Sequence, residues 1–196
     1  MEAEQKVALI QQVMGASHVF CSAVTELLER TLADASGGRL ALSQVKLLLL
    51  IARPEHRFKV TDVAEFLGVT NAAASRAIER LVQRGLVQRT ISPVDRRAVD
   101  LALTDSSREL LARFTEARNA ELLALLGGVA AEKLTRAAAS LDELSVLLLD
   151  LDSGATERCL RCGMHFRTGC VLRDVLGREC TVASQLPGNG RPVAGA

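Results

Sequence analysis

The chain has 196 residues, 24 of them basic and 23 acidic, and a formal net charge of +1, so the molecule as a whole is no polycation. Tryptophan and tyrosine are absent and only five Phe occur; single-strand and RNA platforms need stacking aromatics, which leaves duplex DNA as the nucleic acid this composition suits. No uninterrupted apolar run reaches membrane-spanning length, and the start MEAEQKVALIQQ lacks the basic and apolar regions of a signal peptide; the expectation is a soluble, cytoplasmic protein without a membrane role.

Apolar residues from Val7 to Leu32 keep helical spacing, which predicts a helix from Glu2 to about Ala33, ended by Gly37-Gly38. Ser43 is the expected N-cap of a short helix, Gln44 to Ala52, stopped at Pro54 because proline lacks an amide donor. Thr61 is the expected cap of a third helix, Asp62 to Leu67. Gly68 supplies a turn, and Thr70 opens a fourth helix that reaches about Arg84, where Gly85 stops it. Short helix, glycine turn and second helix form the helix-turn-helix pattern. Two β-type runs follow, Leu86 to Ile91 and Ala98 to Leu103, around a charged tip from Ser92 to Arg97.

Thr104 and Asp105 can cap a long helix to about Leu126, Gly127-Gly128 breaks it, and another helix spans Ala131 to Leu151. With the first helix, these two carry more apolar surface than a small domain can cover, which predicts a homodimer held by helices. The fold class is therefore mainly α with a small β-wing. Residues 1–36 and 104–152 form a helical dimerisation domain, 40–103 a winged helix-turn-helix, 155–181 a cysteine-rich segment and 182–196 a disordered tail.

A helix followed by a basic hairpin can read DNA, the helix in the major groove and the hairpin on the backbone or in the minor groove. Between Asn71 and Arg97 stand arginines 76, 80, 84, 89, 96 and 97 against Glu79 and Asp95, an excess of four positive charges that suits phosphate neutralisation.

These words resemble the MarR family of winged-helix regulators over about residues 5 to 150. The matching residues are Val63-Ala64 with Leu67-Gly68, Ser75-Arg76, the exit from Leu81-Val82 to Gly85-Leu86-Val87, and the wing SPVDRRAVDLALT. The resemblance implies a homodimer on a pseudo-palindromic operator in double-stranded DNA, usually a repressor relieved by a ligand or oxidant. Carried over by position, it puts Asn71, Ala72, Ser75 and Arg76 toward the groove, with Arg76 the candidate base reader because guanidinium bonds guanine bidentately. Arg80 and Arg84 are phosphate contacts or solvated charges. Asp95 orients a wing arginine, and Arg96 or Arg97 enters the minor groove. The run Ala72-Ala73-Ala74 suits close approach or thymine methyl contacts, although alanine is also simply a helix former.

Cys159, Cys162, Cys170 and Cys180 give C-x2-C-x7-C-x9-C. Four thiols so close in a cytoplasmic chain point to metal ligands over structural disulfides. The string CLRCGMHFRTGCVLR also resembles the cluster loop of SoxR-type redox regulators of the MerR family, with Cys159, Cys162, Gly163 and Cys170 in register. Met164 stands where that loop has its third cysteine, so Cys180 is the expected fourth ligand and His165 the reserve. An iron–sulfur cluster is expected, with zinc and metal-free thiol chemistry as the alternatives. Cys21 reads as a buried small hydrophobe, and His18 and His56 lack partners at ligand spacing.

The leading expectation is a dimeric DNA-binding regulator sensing redox state or metal through the four cysteines. A second is the same regulator answering to a small aromatic effector, with zinc as a staple. A third is a CxxC thiol oxidoreductase or electron-transfer protein, but no thioredoxin-like βαβ context and no catalytic constellation accompany the motif. The chain is therefore not expected to be an enzyme.

Overall fold

Helix α1 runs from Glu2 to Ser36, three residues past the predicted end. It stops where Gly37 and Gly38 take φ of 61° and 70°, a left-handed geometry open to a residue without Cβ. The computed structural model describes residues 2–52, 60–91, 99–149, 158–159, 171–175 and 179–180. They fall in two units, Met1–Ala52 with Arg76–Ala124 and Arg53–Ser75 with Leu125–Ala196.

In the first unit only the end of α1 is covered, through Leu27, Leu28 and Leu32. Val7, Ile10, Val13, Met14 and Phe20 remain exposed. By length and composition α1 is apolar enough to cross a membrane, although Gln11, Gln12, Ser17 and His18 interrupt it. Cys21, expected to be buried, is exposed and free.

Helix α2, Leu42–Ile51, begins two residues earlier than predicted. Its N-cap is Ala41, which has no side-chain acceptor. The Gln44 side chain compensates, its Oε1 accepting the Ala41 N–H at 3.1 Å. Ser43 therefore lies inside the first turn and caps nothing. Val45, Leu47, Leu48, Leu50 and Ile51 are all buried, the mark of a helix apolar around most of its circumference and enclosed by core. Pro54, the predicted stop, lies outside the described residues.

Strands β1, Val87–Ile91, and β2, Val99–Leu103, pair antiparallel from Val87↔Leu103 to Ile91↔Val99. Leu86, predicted as strand, instead closes the preceding helix: Gly85 takes φ of 66° and the Leu86 N–H donates to the Leu81 carbonyl at 2.9 Å. Val87 and Leu103 bury their side chains, while Gln88, Arg89 and Thr90 stay exposed. The Thr104 hydroxyl joins hairpin and helix: Oγ1 donates to the Gly85 carbonyl at 2.8 Å and accepts the Ser107 N–H at 3.3 Å. It thereby caps α5, Asp105–Leu126, in the manner predicted. Leu110, Leu111 and Phe114 of α5 complete this core.

The second unit holds α3, Val60–Leu67. Thr61 falls inside it and is not its cap, because the helix begins one residue before. Gly68 takes φ of 65°, and the Val69 N–H donates to the Ala64 carbonyl at 2.9 Å. Helix α4, Asn71–Gln83, of which only the residues to Ser75 belong to this unit, opens on the predicted cap: Thr70 Oγ1 accepts the Ala73 N–H at 3.2 Å. Further along lies α6, Ala131–Leu149, with Leu134, Leu141, Leu144, Leu147 and Leu148 exposed.

The cysteine segment carries structure the sequence did not announce. Strand β3, Arg158–Cys159, pairs parallel with β4, Glu179–Cys180, in the register Arg158↔Glu179 and Cys159↔Cys180. Between them the one-turn helix α7, Val171–Asp174, packs on α6. The missing βαβ context thus has a counterpart in miniature, but strands of two residues fall far short of a thioredoxin-like sheet. The predicted tail 182–196 lies outside the described residues.

Candidate nucleic-acid interface

Helix α4 has two faces. Ala74, Ile78 and Leu81 are 0, 3 and 0% exposed and anchor it. Asn71, Ala72, Ser75, Arg76 and Arg80 are all exposed, so every groove-facing residue expected on this helix lies on its open side. Ala74 belongs to the core, while Ala72 is exposed and Ala73 half-buried. The first N–H groups of a helix also add partial positive charge at Asn71.

Two arginines that sequence reasoning counted toward DNA have other duties. Arg84 reaches back to the start of α2: Nη2 donates to the Arg39 carbonyl, and Nη1 to Gln44 Oε1 at 3.3 Å. One glutamine oxygen therefore serves both the α2 cap and the α4 exit. Arg84, although exposed, is thus tied to the start of α2. Arg89 on β1 pairs with Glu79 on α4 at 2.9 Å, both partners about half exposed. Such a pair is worth little stability, but it fixes the strand against the helix and neutralises one charge. Among the described residues Arg76 and Arg80 have no ion-pair or hydrogen-bond partner. Asp95, Arg96 and Arg97, the wing-tip candidates, lie outside the described residues.

A second feature lies in the first unit. Leu49, Leu103, Leu111 and Ala112 line a cleft of about 730 Å³, with Arg108, Glu116 and Asn119 at its polar side. Arg108 Nη2 donates to the Leu103 carbonyl at 2.8 Å. Next to Asn119, Arg118 lies 6.0 Å over the Phe114 ring, and burial pushes its guanidinium below the ordinary arginine value. No sequence motif marks this cleft, since its lining comes from three separate elements.

Of the four candidate metal ligands, Cys159 and Cys180 are register partners, whereas Cys162, Cys170 and the reserve His165 lie outside the described residues. No group of three or more potential ligands occurs among the described residues.

Residues 40–99 match the MarR family. Over 98 residues the chain is 30% identical to the HTH-type transcriptional repressor MdtR of Bacillus subtilis (strain 168), a match covering 50% of this chain and 63% of that protein. The chain thus spans less than two thirds of this relative's length. Its fold is similar to RV1404 from Mycobacterium tuberculosis, with a TM-score of 0.59, 23% identity, and 68% of this chain and 92% of that one covered. It is also similar to Streptococcus pneumoniae FabT, solved in complex with DNA, with a TM-score of 0.62, 20% identity, and coverages of 72% and 99%. At such identities the likeness to these two structures is one of fold. MarR-family proteins are transcription regulators, not enzymes, and the family match ends before the cysteine segment.

Proposed function

We propose, on the footing that this chain belongs to the MarR family of winged-helix regulators, that it is a cytoplasmic homodimeric repressor binding a pseudo-palindromic operator in duplex DNA. The observation that carries this reading is the open face of α4, where Arg76 and Arg80 are exposed and uncommitted among the described residues. In this proposal Asn71, Ala72, Ser75 and Arg76 meet base edges, Arg80 meets phosphate, and Arg96 or Arg97, oriented by Asp95, enters the minor groove. The uncovered apolar residues of α1 and α6 are the dimer surface; this reading also accounts for the apolar length of α1 without a membrane.

The division of labour among the arginines is testable by salt titration on an arbitrary duplex. Arg80→Ala is expected to flatten the slope of log affinity against log salt by about 0.9. Arg84→Ala is expected to leave that slope unchanged and to lower unfolding stability by about 1 kcal/mol, the worth of its clamping hydrogen bonds. Equal slope changes in both variants would show that the Arg84 clamp opens to reach phosphate.

For sensing, we propose that Cys159, Cys162, Cys170 and Cys180 hold one metal centre, an iron–sulfur cluster. The backbone register of Cys159 with Cys180 supports Cys180 over His165 as the fourth ligand, because it brings the two ends of a 22-residue segment together. When bound, a cluster would supply one-electron redox chemistry. The chain supplies four thiolates, and α7 on α6 links their state to the last long helix. Anaerobic, air-oxidised and metal-stripped protein are expected to differ in operator affinity, and the anaerobic form to be brown with bound iron. A colourless protein with stoichiometric zinc and equal affinity in all three states contradicts this.

The cleft of about 730 Å³ favours one second reading: a small aromatic effector with a polar end, its ring among Leu49, Leu103 and Leu111 and its polar group near Arg108, the cysteines then holding a zinc staple. The cleft is wide and open to solvent, so this reading rests on its mixed apolar and polar lining alone.

A further inference from the structure

We infer that Glu79 limits the affinity of α4 for DNA: its carboxylate withholds Arg89 from phosphate. The inference rests on the reading of α4 as the DNA-facing helix and adds to it a residue that works against binding. Glu79 is the single acid on α4.

Arg76, Glu79, Arg80 and Gln83 stand at i, i+3, i+4 and i+7, so they share one stripe of the helix. Arg76, Arg80 and Gln83 are exposed, and the Glu79 side chain is 45% exposed. A carboxylate thus stands on the stripe that is proposed to meet a polyanion. Sequence spacing offers it Arg76, three residues earlier, as an ion-pair partner. The fold gives it another. Glu79 Oε2 accepts from Arg89 Nη2 of β1 at 2.9 Å, which leaves Arg76 without a partner among the described residues.

A pair this exposed adds little to folding, so its effect is on the charge that the surface offers. Each arginine that neutralises a phosphate releases condensed counterions. Arg89 could do so only by leaving Glu79, and that exchange sets a bare carboxylate beside the phosphates. One attraction is gained and one repulsion is added. The net charge offered to DNA stays the same, and the pair persists in the complex. Of the arginines from Arg76 to Arg89, Arg84 is tied to α2 and Arg89 to Glu79. Arg76 and Arg80 remain for DNA, and removing the Glu79 carboxylate returns Arg89 to that count.

Salt titration on an arbitrary duplex tests this with the unaltered chain, Glu79→Gln, and the double variant that joins Glu79→Gln to Arg89→Ala. Glu79→Gln is expected to bind more tightly and to steepen the slope of log affinity against log salt by about 0.9 for each protomer bound. Its advantage should therefore shrink about 3.5-fold per protomer as salt rises fourfold. The double variant is expected to return to the slope of the unaltered chain, because the freed cation is gone. Glu79→Ala, which also lacks the charge, should repeat the Glu79→Gln result, and unfolding midpoints should stay close to that of the unaltered chain. An unchanged slope in Glu79→Gln overturns the inference. So does a steeper slope that survives in the double variant, since the gain would then come from lost repulsion and not from Arg89. Both of these failures leave DNA binding by α4 standing. Failure of the unaltered chain to bind any duplex removes that reading, and this inference with it.

Discussion

Alanine at position 76 is expected to weaken binding to the cognate operator by about 1–3 kcal/mol and to erase preference at one base position in each half-site. Arg76 is exposed within the first two turns of α4, where a recognition helix meets base edges, and no partner among the described residues restrains it. Its neighbours on the same side, Ala72 and Ser75, are small and leave a long guanidinium room to reach the groove. The loss should appear in titrations against operators changed one base pair at a time. A uniform loss across all of them, with no position relaxed, would reassign Arg76 to the phosphates.

Leu144→Glu is expected to halve the molecular mass in solution. Leu144 lies on the exposed apolar side of α6 with Leu141 and Leu148, and burying an unpaired carboxylate there should cost several kcal/mol, about 3–5 by analogy with broken buried ion pairs. Sedimentation at micromolar concentration reads the mass, and Glu143→Gln, at an exposed neighbour, is the control expected to remain dimeric. Specific DNA affinity should fall with the dimer, because each protomer then reads a single half-site. An intact dimer in the Leu144→Glu variant would place the interface away from this part of α6.

Much of the fold was legible because punctuation residues announce it locally. Gly37, Gly68 and Gly85 stand where the backbone needs positive φ, and Thr70 and Thr104 use their own hydroxyls as caps. The misplaced starts have a local reason too. Ala41 has no polar side chain to betray it as a cap, while Ser43 and Thr61 have the right chemistry in the wrong turn. Long-range commitments left no such trace. Arg84 meets Arg39 and Gln44 across 45 and 40 residues, and Arg89 meets Glu79 across an element boundary, so counting charge along the chain overstated what faces DNA. Strands as short as β3 and β4 give no alternation to read, and spacing does not announce the parallel Cys159↔Cys180 register.

The most direct test of the central claim is selection of binding sites from a random pool of duplex DNA by the purified protein. The expected product is a pseudo-palindrome whose half-sites lie about 10 base pairs centre to centre, or a multiple of that, to suit two symmetry-related α4 helices. A pool that stays random after repeated rounds, while binding persists at low salt, would contradict a sequence-specific regulator and leave only non-specific attraction to phosphate.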